Sequence, residues 1–183
     1  QAAGGSDDRE MLLTFDDGYR SFAETVVPAL RRHGAPVVLS VATGCVGGPG
    51  LWTDAVRGAV SEAEPLIEEL KRLPHGERCR AVREVCEAAV EGEASPRKML
   101  SWEELAEVAG DPLVTIGAHS VAHPILATLP DEEAEAEITR SGRDLERELG
   151  VRPSAFTYPN GGREDFTEAH ERMVAEAGYS VAF

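Results

Sequence analysis

Short apolar runs alternate along this chain with longer stretches of helical spacing, and most of the apolar runs close on a polar turn. Met11–Phe15 (MLLTF) runs into Asp16-Asp17-Gly18 and predicts a buried strand followed by a loop. Ser21–His33 places Phe22, Val26, Val27 and Leu30 at helical spacing, with Gly34 as the C-cap and Pro28 as a predicted kink. Ala35–Ala42 (APVVLSVA) holds a β-branched run and predicts a second strand, and Thr43–Gly50 is a Gly-rich loop. From Trp52 to Gly92 the chain is rich in Glu, Arg and Ala, with Pro65 and Pro74 as interruptions. Helices are predicted there at Thr53–Glu62, Pro65–Arg72 and Glu77–Val90. The stretch reads as a helical insertion at about 52–92, since as a separate domain it would have little core.

Ser101 and Glu104 have the spacing of a capping box and open a helix to Ala109. Leu113–Gly117 predicts a strand ending at Ala118-His119, and Pro130–Leu149 a long helix ending at Gly150. Ser154–Tyr158 predicts a strand ending at Pro159-Asn160-Gly161-Gly162, and Arg163–Ala177 a helix closed by Gly178. Tyr179–Phe183 begins a further strand. The alternation of strand and helix indicates an α/β fold with a parallel sheet. Three of the strands end in chemically loaded turns, at Asp16-Asp17-Gly18, at His119 and at Tyr158-Pro159-Asn160. Ligands bind at the carboxyl ends of parallel strands, so these turns are expected to meet around one site.

Composition narrows the classes. A chain of 183 residues with 42% hydrophobic and 28% charged positions suits one folded domain over 1–183. The net charge of −15 argues against nucleic acid and against docking on anionic membranes. No apolar run approaches the roughly 18 residues of a membrane span, so no membrane insertion is expected. Gln1–Glu10 holds no signal-peptide core; a leader is removed on maturation, so the compartment stays open between cell envelope, extracellular space and cytoplasm. The acidic runs Asp131–Glu137 and Glu62–Glu69 read as solvated helix faces. Three cysteines give no disulfide framework. Cys79 and Cys86, seven apart on one helical face, read as two small buried thiols without a histidine at ligand spacing. Trp52 and Trp102 read as core residues. Nothing in the sequence sets the oligomeric state.

The candidate chemistry lies in the turns. His119 and His123 are four apart in HSVAH, directly after a strand, and two imidazoles at that spacing can grip one cation. Asp16 and Asp17 are adjacent carboxylates that repel unless a cation or proton is shared. One of them can bind an ion while the other takes a proton from water, and Gly18 frees the backbone to turn sharply. DDGYRSFAET lacks the alternating oxygen ligands of an EF-hand. Two histidines and an aspartate form a facial set with open positions, which favours a catalytic over a structural metal. Zn2+ is the default divalent ion; Co2+, Ni2+, Mn2+ and iron suit the same donors. The Tyr158-Pro159-Asn160-Gly161-Gly162 turn could point backbone N–H groups at an oxyanion, although taken alone it is better explained as an ordinary turn.

TFDDG (Thr14–Gly18), HSVAH (His119–His123) and FTYPNG (Phe156–Gly161) together resemble the first three motifs of the NodB-homology polysaccharide deacetylases, carbohydrate esterase family four. The resemblance runs from Leu12 to Phe183. It implies a distorted or incomplete (β/α) barrel that removes N-acetyl groups from amino sugars in glycans or glycan precursors. By motif match it implies Asp16 as general base, and Asp17, His119 and His123 as metal ligands. Ser120 would support the histidine loop, and Asn160 would offer a backbone N–H to the oxyanion. Tyr158, Pro159 and Gly161 would line the substrate, which is expected to be an N-acetylated oligo- or polysaccharide. The family's third motif usually has Arg and Tyr where this chain has Thr157 and Asn160, and an FxYPxG subset that also lacks the Arg is the nearer pattern. The family's Leu-x-His general acid has no match before Phe183, and His170 is the only late histidine, read as mid-helix in EAHER. The chain is therefore read either as cut short at both ends or as an incomplete barrel. A catalytically impaired domain that binds metal or glycan, and an amidohydrolase of small non-sugar amides, are the alternative readings. At 5% aromatic residues a long sugar cleft is not evident, and Trp52, Trp102 and Tyr158 are the stacking candidates.

Overall fold

Five short parallel strands lie side by side in chain order: β1 (Leu13–Phe15), β2 (Val37–Val41), β3 (Val114–Ala118), β4 (Ala155–Phe156) and β5 (Val181–Ala182). The computed structural model describes residues 11–89 and 98–183, so Gln1–Glu10 and the end of the predicted insertion from Val90 to Gly92 lie outside the described residues. The sheet curls into a half-barrel with helices around it, the incomplete (β/α) barrel expected from the motifs. The paired strands β2 and β3 are its buried centre. Every residue of β2 is buried, which is why VVLSV reads as a continuous apolar run rather than an alternating one.

A π-helical turn (Phe22–Val26) leads into α1 (Val27–His33). The predicted kink at Pro28 resolves into this geometry. Proline has no N–H and crowds the carbonyl four residues back, and the widened turn ahead of it leaves Pro28 in the first turn of α1. Between β2 and β3 come α2 (Trp52–Ala59), α3 (Ala63–Lys71) and α4 (His75–Ala88), the predicted insertion. It has a small core of its own, Val56, Ala63, Ile67 and Leu70. Helix α5 (Trp102–Ala109) opens with the predicted capping box: Ser101 Oγ accepts from the Glu104 N–H at 3.2 Å, and Glu104 Oε2 accepts from the Ser101 N–H at 2.9 Å. Helix α6 (Asp131–Leu149) buries Ala134, Ile138, Ser141 and Leu145, a stripe at helical spacing that packs on the main core. Helix α7 is Glu168–Glu176.

Several expectations need correction. MLLTF predicted a buried strand, yet β1 is three residues long with Leu13 36% and Phe15 37% exposed. Among the described residues it is an edge strand, paired to β2 alone. Strand β5, at the other edge, is likewise shorter than Tyr179–Phe183 and exposed. The helix predicted from Arg163 starts at Glu168, because the preceding residues form a turn in which Asp165 Oδ2 accepts from the Gly162 N–H at 2.8 Å. His170 is therefore not mid-helix. It is buried at the start of α7, where its Nδ1 accepts from the Thr167 N–H at 3.0 Å. Cys79 is exposed and Cys86 only half-buried, since that side of α4 faces outward. Cys79 does have a histidine partner: His75 Nε2 lies 3.5 Å from its Sγ. Trp52 and Trp102 are half-buried and pack on the insertion core and the main core respectively.

Gly117 sets how closely the central strands approach. A Cβ there would stand 2.8 Å from Ser40 Oγ, 3.2 Å from Val38 Cγ1 and 3.3 Å from the Ala155 carbonyl. Gly117→Ala is expected to destabilise the fold by about 1–3 kcal/mol through overpacking, read as a fall in the urea midpoint at unchanged m-value. An unchanged midpoint would show that β2 and β4 yield freely to the methyl group.

Candidate functional site

The carboxyl ends of β1, β3 and β4 bring the predicted residues together. Val41 pairs with Ala118 and Ala118 with Phe156, so His119 and Thr157 follow their strands at one level of the sheet; Phe15 pairs with Leu39, so the Asp16-Asp17 turn leaves β1 two residues below that level. Beyond the strands the ladder continues through His119 N–H to the Val41 carbonyl at 3.0 Å and Thr157 N–H to the Ala118 carbonyl at 2.9 Å. Gly18 has a φ of 90° and lets the Asp16-Asp17 turn fold back beside Val41. The Gly18 carbonyl then accepts from the Leu100 N–H at 2.9 Å, which ties the turn to the start of α5.

Asp17, His119 and His123 converge. Asp17 Oδ1 lies 3.4 Å from His119 Nε2 and 3.3 Å from His123 Nε2, and the three side chains could hold one metal ion. The two rings meet edge to face with centroids 4.7 Å apart. His119 Nδ1 is 2.8 Å from the Thr157 carbonyl. A carbonyl only accepts, so this nitrogen carries the proton, and in the neutral ring Nε2 is a bare lone pair. That lone pair faces the Asp17 carboxylate, acceptor against acceptor, an arrangement relieved by a cation or a proton between them. His123 is buried, and its Nδ1 has no hydrogen-bond partner among the described residues. Burial first, and the neighbouring His119 second, push its pKa down to about 4, so the ring is neutral above that pH and offers a lone pair rather than a charge. One carboxylate and two imidazoles fit a divalent ion such as zinc.

Asp16 sits beside this group at the solvent-accessible edge. Crowding by protein atoms raises its carboxyl pKa, and Asp17 raises it further, while His119 and a hydrogen bond from the Thr157 hydroxyl oppose the shift. Thr157 is a residue that sequence reasoning passed over, treating it only as a departure from a motif. It is buried, its carbonyl fixes the His119 tautomer, and its hydroxyl contacts Asp16 and, at 2.7 Å, Ser40 Oγ. Its position one residue past β4, level with His119, was the available signal.

The remaining predicted residues fall around the same place. Ser120 is buried, and its Oγ accepts from the His123 N–H at 3.1 Å. Tyr158, Asn160 and Gly161 line a cleft of about 520 Å³ together with Asp16, Asp17 and both histidines, and Pro159 is buried behind it. Tyr158 offers less of a stacking surface than expected, because Phe166 lies parallel against its ring at 4.0 Å. The opposite wall comes from Tyr19 and from Thr53, Arg57, Ile67 and Lys71 of the insertion. Trp52 and Trp102 are not among the lining residues, and neither is His170.

A parallel half-barrel with a carboxylate and two imidazoles at its strand ends defines a hydrolase-like α/β site. The chain belongs to the polysaccharide deacetylase family, whose sequence model matches residues 3–182. Among curated proteins no relative matches. Solved structures are similar in fold. IcaB of Ammonifex degensii superposes with a TM-score of 0.63 at 21% identity, over 94% of this chain and 58% of its own. The deacetylase domain of BpsB from Bordetella bronchiseptica gives 0.59 at 22% identity, over 93% and 62%. The Streptococcus pyogenes deacetylase PplD, solved with acetate, gives 0.59 at 19% identity, over 92% and 53%. The chain thus spans between half and two thirds of the length of these structures.

Titration against a chromophoric chelator is expected to show one equivalent of zinc bound. Asp17→Ala or His123→Ala should remove this uptake, whereas His33→Ala, on the exposed end of α1, should keep it. Uptake that survives both site substitutions would put the ion elsewhere.

Proposed function

We propose that this chain hydrolyses N-acetyl groups from glycans or glycan precursors that contain N-acetylglucosamine, using a divalent metal, zinc in the first place. The observation that carries the reading is the convergence of Asp17 Oδ1 on His119 Nε2 and His123 Nε2 beside a second carboxylate, Asp16. Membership of the polysaccharide deacetylase family and the likeness to the deacetylase PplD in complex with acetate support the same chemistry.

Asp17, His119 and His123 would hold the ion, which when bound supplies Lewis acidity toward the acetyl carbonyl and acidifies water. The chain's own residues do the rest. Asp16 accepts the proton of the attacking water, whose oxygen bonds to the carbonyl carbon. The Asn160 turn lies in the same cleft and offers backbone N–H groups toward the charge that develops on the carbonyl oxygen. The C–N bond then breaks, the proton held by Asp16 passes to the departing amine, and acetate is left. A carboxyl pKa raised from its ordinary value by burial suits Asp16 to both halves of that transfer.

Acetate release from chito-oligosaccharides and β-1,6-linked N-acetylglucosamine oligomers by the full-length, zinc- or cobalt-loaded protein tests this. Asp16→Asn is expected to cut turnover by about 10²–10⁴-fold while zinc uptake stays intact. Zinc-loaded protein that releases no acetate, but binds oligosaccharide equally as parent and as Asp16→Asn, would make it a binding domain. Turnover confined to small non-sugar amides would overturn the substrate class.

A further inference from the structure

We infer that Glu137 of α6 is a positioning residue for the metal-binding histidines, acting through the backbone of the loop that joins them. This rests on the proposed metal site. One oxygen of Glu137, Oε2, accepts both the Val121 N–H and the Ala122 N–H, each at 2.8 Å. Those two amides are the middle of the loop between His119 and His123. Successive backbone N–H groups that point the same way form a small anion-binding concavity, and bonds to a carboxylate are the strong kind. The helix face that reads in sequence as solvated acid thus has one member turned inward; Glu137 is half-buried while Glu133 and Glu135 are exposed.

The loop needs holding. Ser120 and His123, on either side of the clamped pair, both have positive φ, 62° and 54°, without being glycine. Their strained conformations aim the His123 ring back at Asp17. The carbonyl side of the loop is tied separately: the Ser120 and Val121 carbonyls accept from the Thr43 and Gly44 N–H groups at 3.1 and 2.8 Å. His119 is oriented by Thr157. Glu137 therefore governs the His123 half of the donor set, from a helix that itself supplies no ligand.

Reach and charge can be separated. Glu137→Gln keeps an oxygen at the same distance but no charge, and Glu137→Asp keeps the charge but falls one methylene short. Positioning predicts that the zinc affinity of Gln stays near the parent while Asp and Ala each lose about 10–100-fold, as is usual for groups that orient ligands. Exchange of the Val121 and Ala122 amides should quicken in Asp and Ala and not in Gln, with the metal absent. If Asp holds zinc like the parent and Gln does not, the effect is long-range charge and the inference is overturned. Equal affinity across all variants overturns it too, while the metal reading stands. Absence of zinc uptake by the parent removes the metal reading and this inference together. The Gln and Asp pair carries the test even where Ala fails to fold.

Discussion

Everything at the site depends on where four neighbouring parallel strands stop. Parallel pairing fixes which residues stand side by side, and in this sheet Val41, Ala118 and Phe156 share one level. The residues that follow are then obliged to meet: His119 donates from Nδ1 to the Thr157 carbonyl because both come one step past that level. A slip of one residue in either strand would send the His119 ring to the opposite face of the sheet. Gly117 makes the register possible, since only a residue without Cβ fits between Ser40 and the β4 backbone. The apolar core beneath, with Leu39, Val41, Ala118 and Phe156 all fully buried, penalises any alternative pairing by exposing side chains that water disfavours.

The turns above that level are strained. Among the described residues, the non-glycine positions with positive φ are Asp17, Ser120, His123 and Asn160, and all four lie in the turns at these strand ends. Each such conformation costs about 1–3 kcal/mol, against a net stability of about 5–15 kcal/mol for an ordinary domain. Strain of that size persists only where surrounding bonds over-determine the backbone, and the histidine loop is held from three sides, by Thr43 and Gly44, by the Ser120 hydroxyl and by Glu137. The return on the strain is a carboxylate oxygen 3.4 Å from one imidazole nitrogen and 3.3 Å from another, with all three atoms within 4.8 Å of one another.

How much of this was legible in the sequence follows from the range of the interactions. Adjacent or near-adjacent residues carry Asp16-Asp17-Gly18, His119 with His123, and Ser101 with Glu104, so local spacing was enough to find them. The buried strand β2 announced itself as VVLSV because burial on both faces leaves no polar alternation. MLLTF has the same apolar look, but its exposure is decided by having one neighbour instead of two, which is a property of the sheet and not of the segment. Thr157 and Glu137 were missed for the same reason. A threonine after a short strand and a glutamate in an acidic helix carry no local signature, and their partners, His119 and the Val121–Ala122 amides, lie 38 and about 16 residues away.

The two walls of the cleft are built on different principles, and this bears on how the proposed chemistry and its substrate recognition relate. On the sheet side His119, His123 and Thr157 are buried and the turns that carry them are strained and bonded through their backbone, so these donors tolerate little substitution. The insertion side is helical, with a core of its own, and its cations are spent on neighbours: Arg57 on Glu64 at 2.8 Å and Lys71 on Glu68 at 2.8 Å. Exposed pairs of that kind contribute little to stability, so they can be exchanged at small cost. The insertion is tied to the chain just after β1 by the Tyr19 hydroxyl, which donates to the buried Asp54 carboxylate at 2.5 Å, with Asp54 also receiving the Leu51 N–H at 2.9 Å. Because Tyr19 directly follows the Asp16-Asp17-Gly18 turn, this contact registers the insertion against the acidic turn without touching the histidines. On the proposed reading an acetyl group addresses the sheet wall while the rest of the sugar meets the insertion. The catalytic donors can then remain fixed by the fold while the glycan preference varies with α2 and α3.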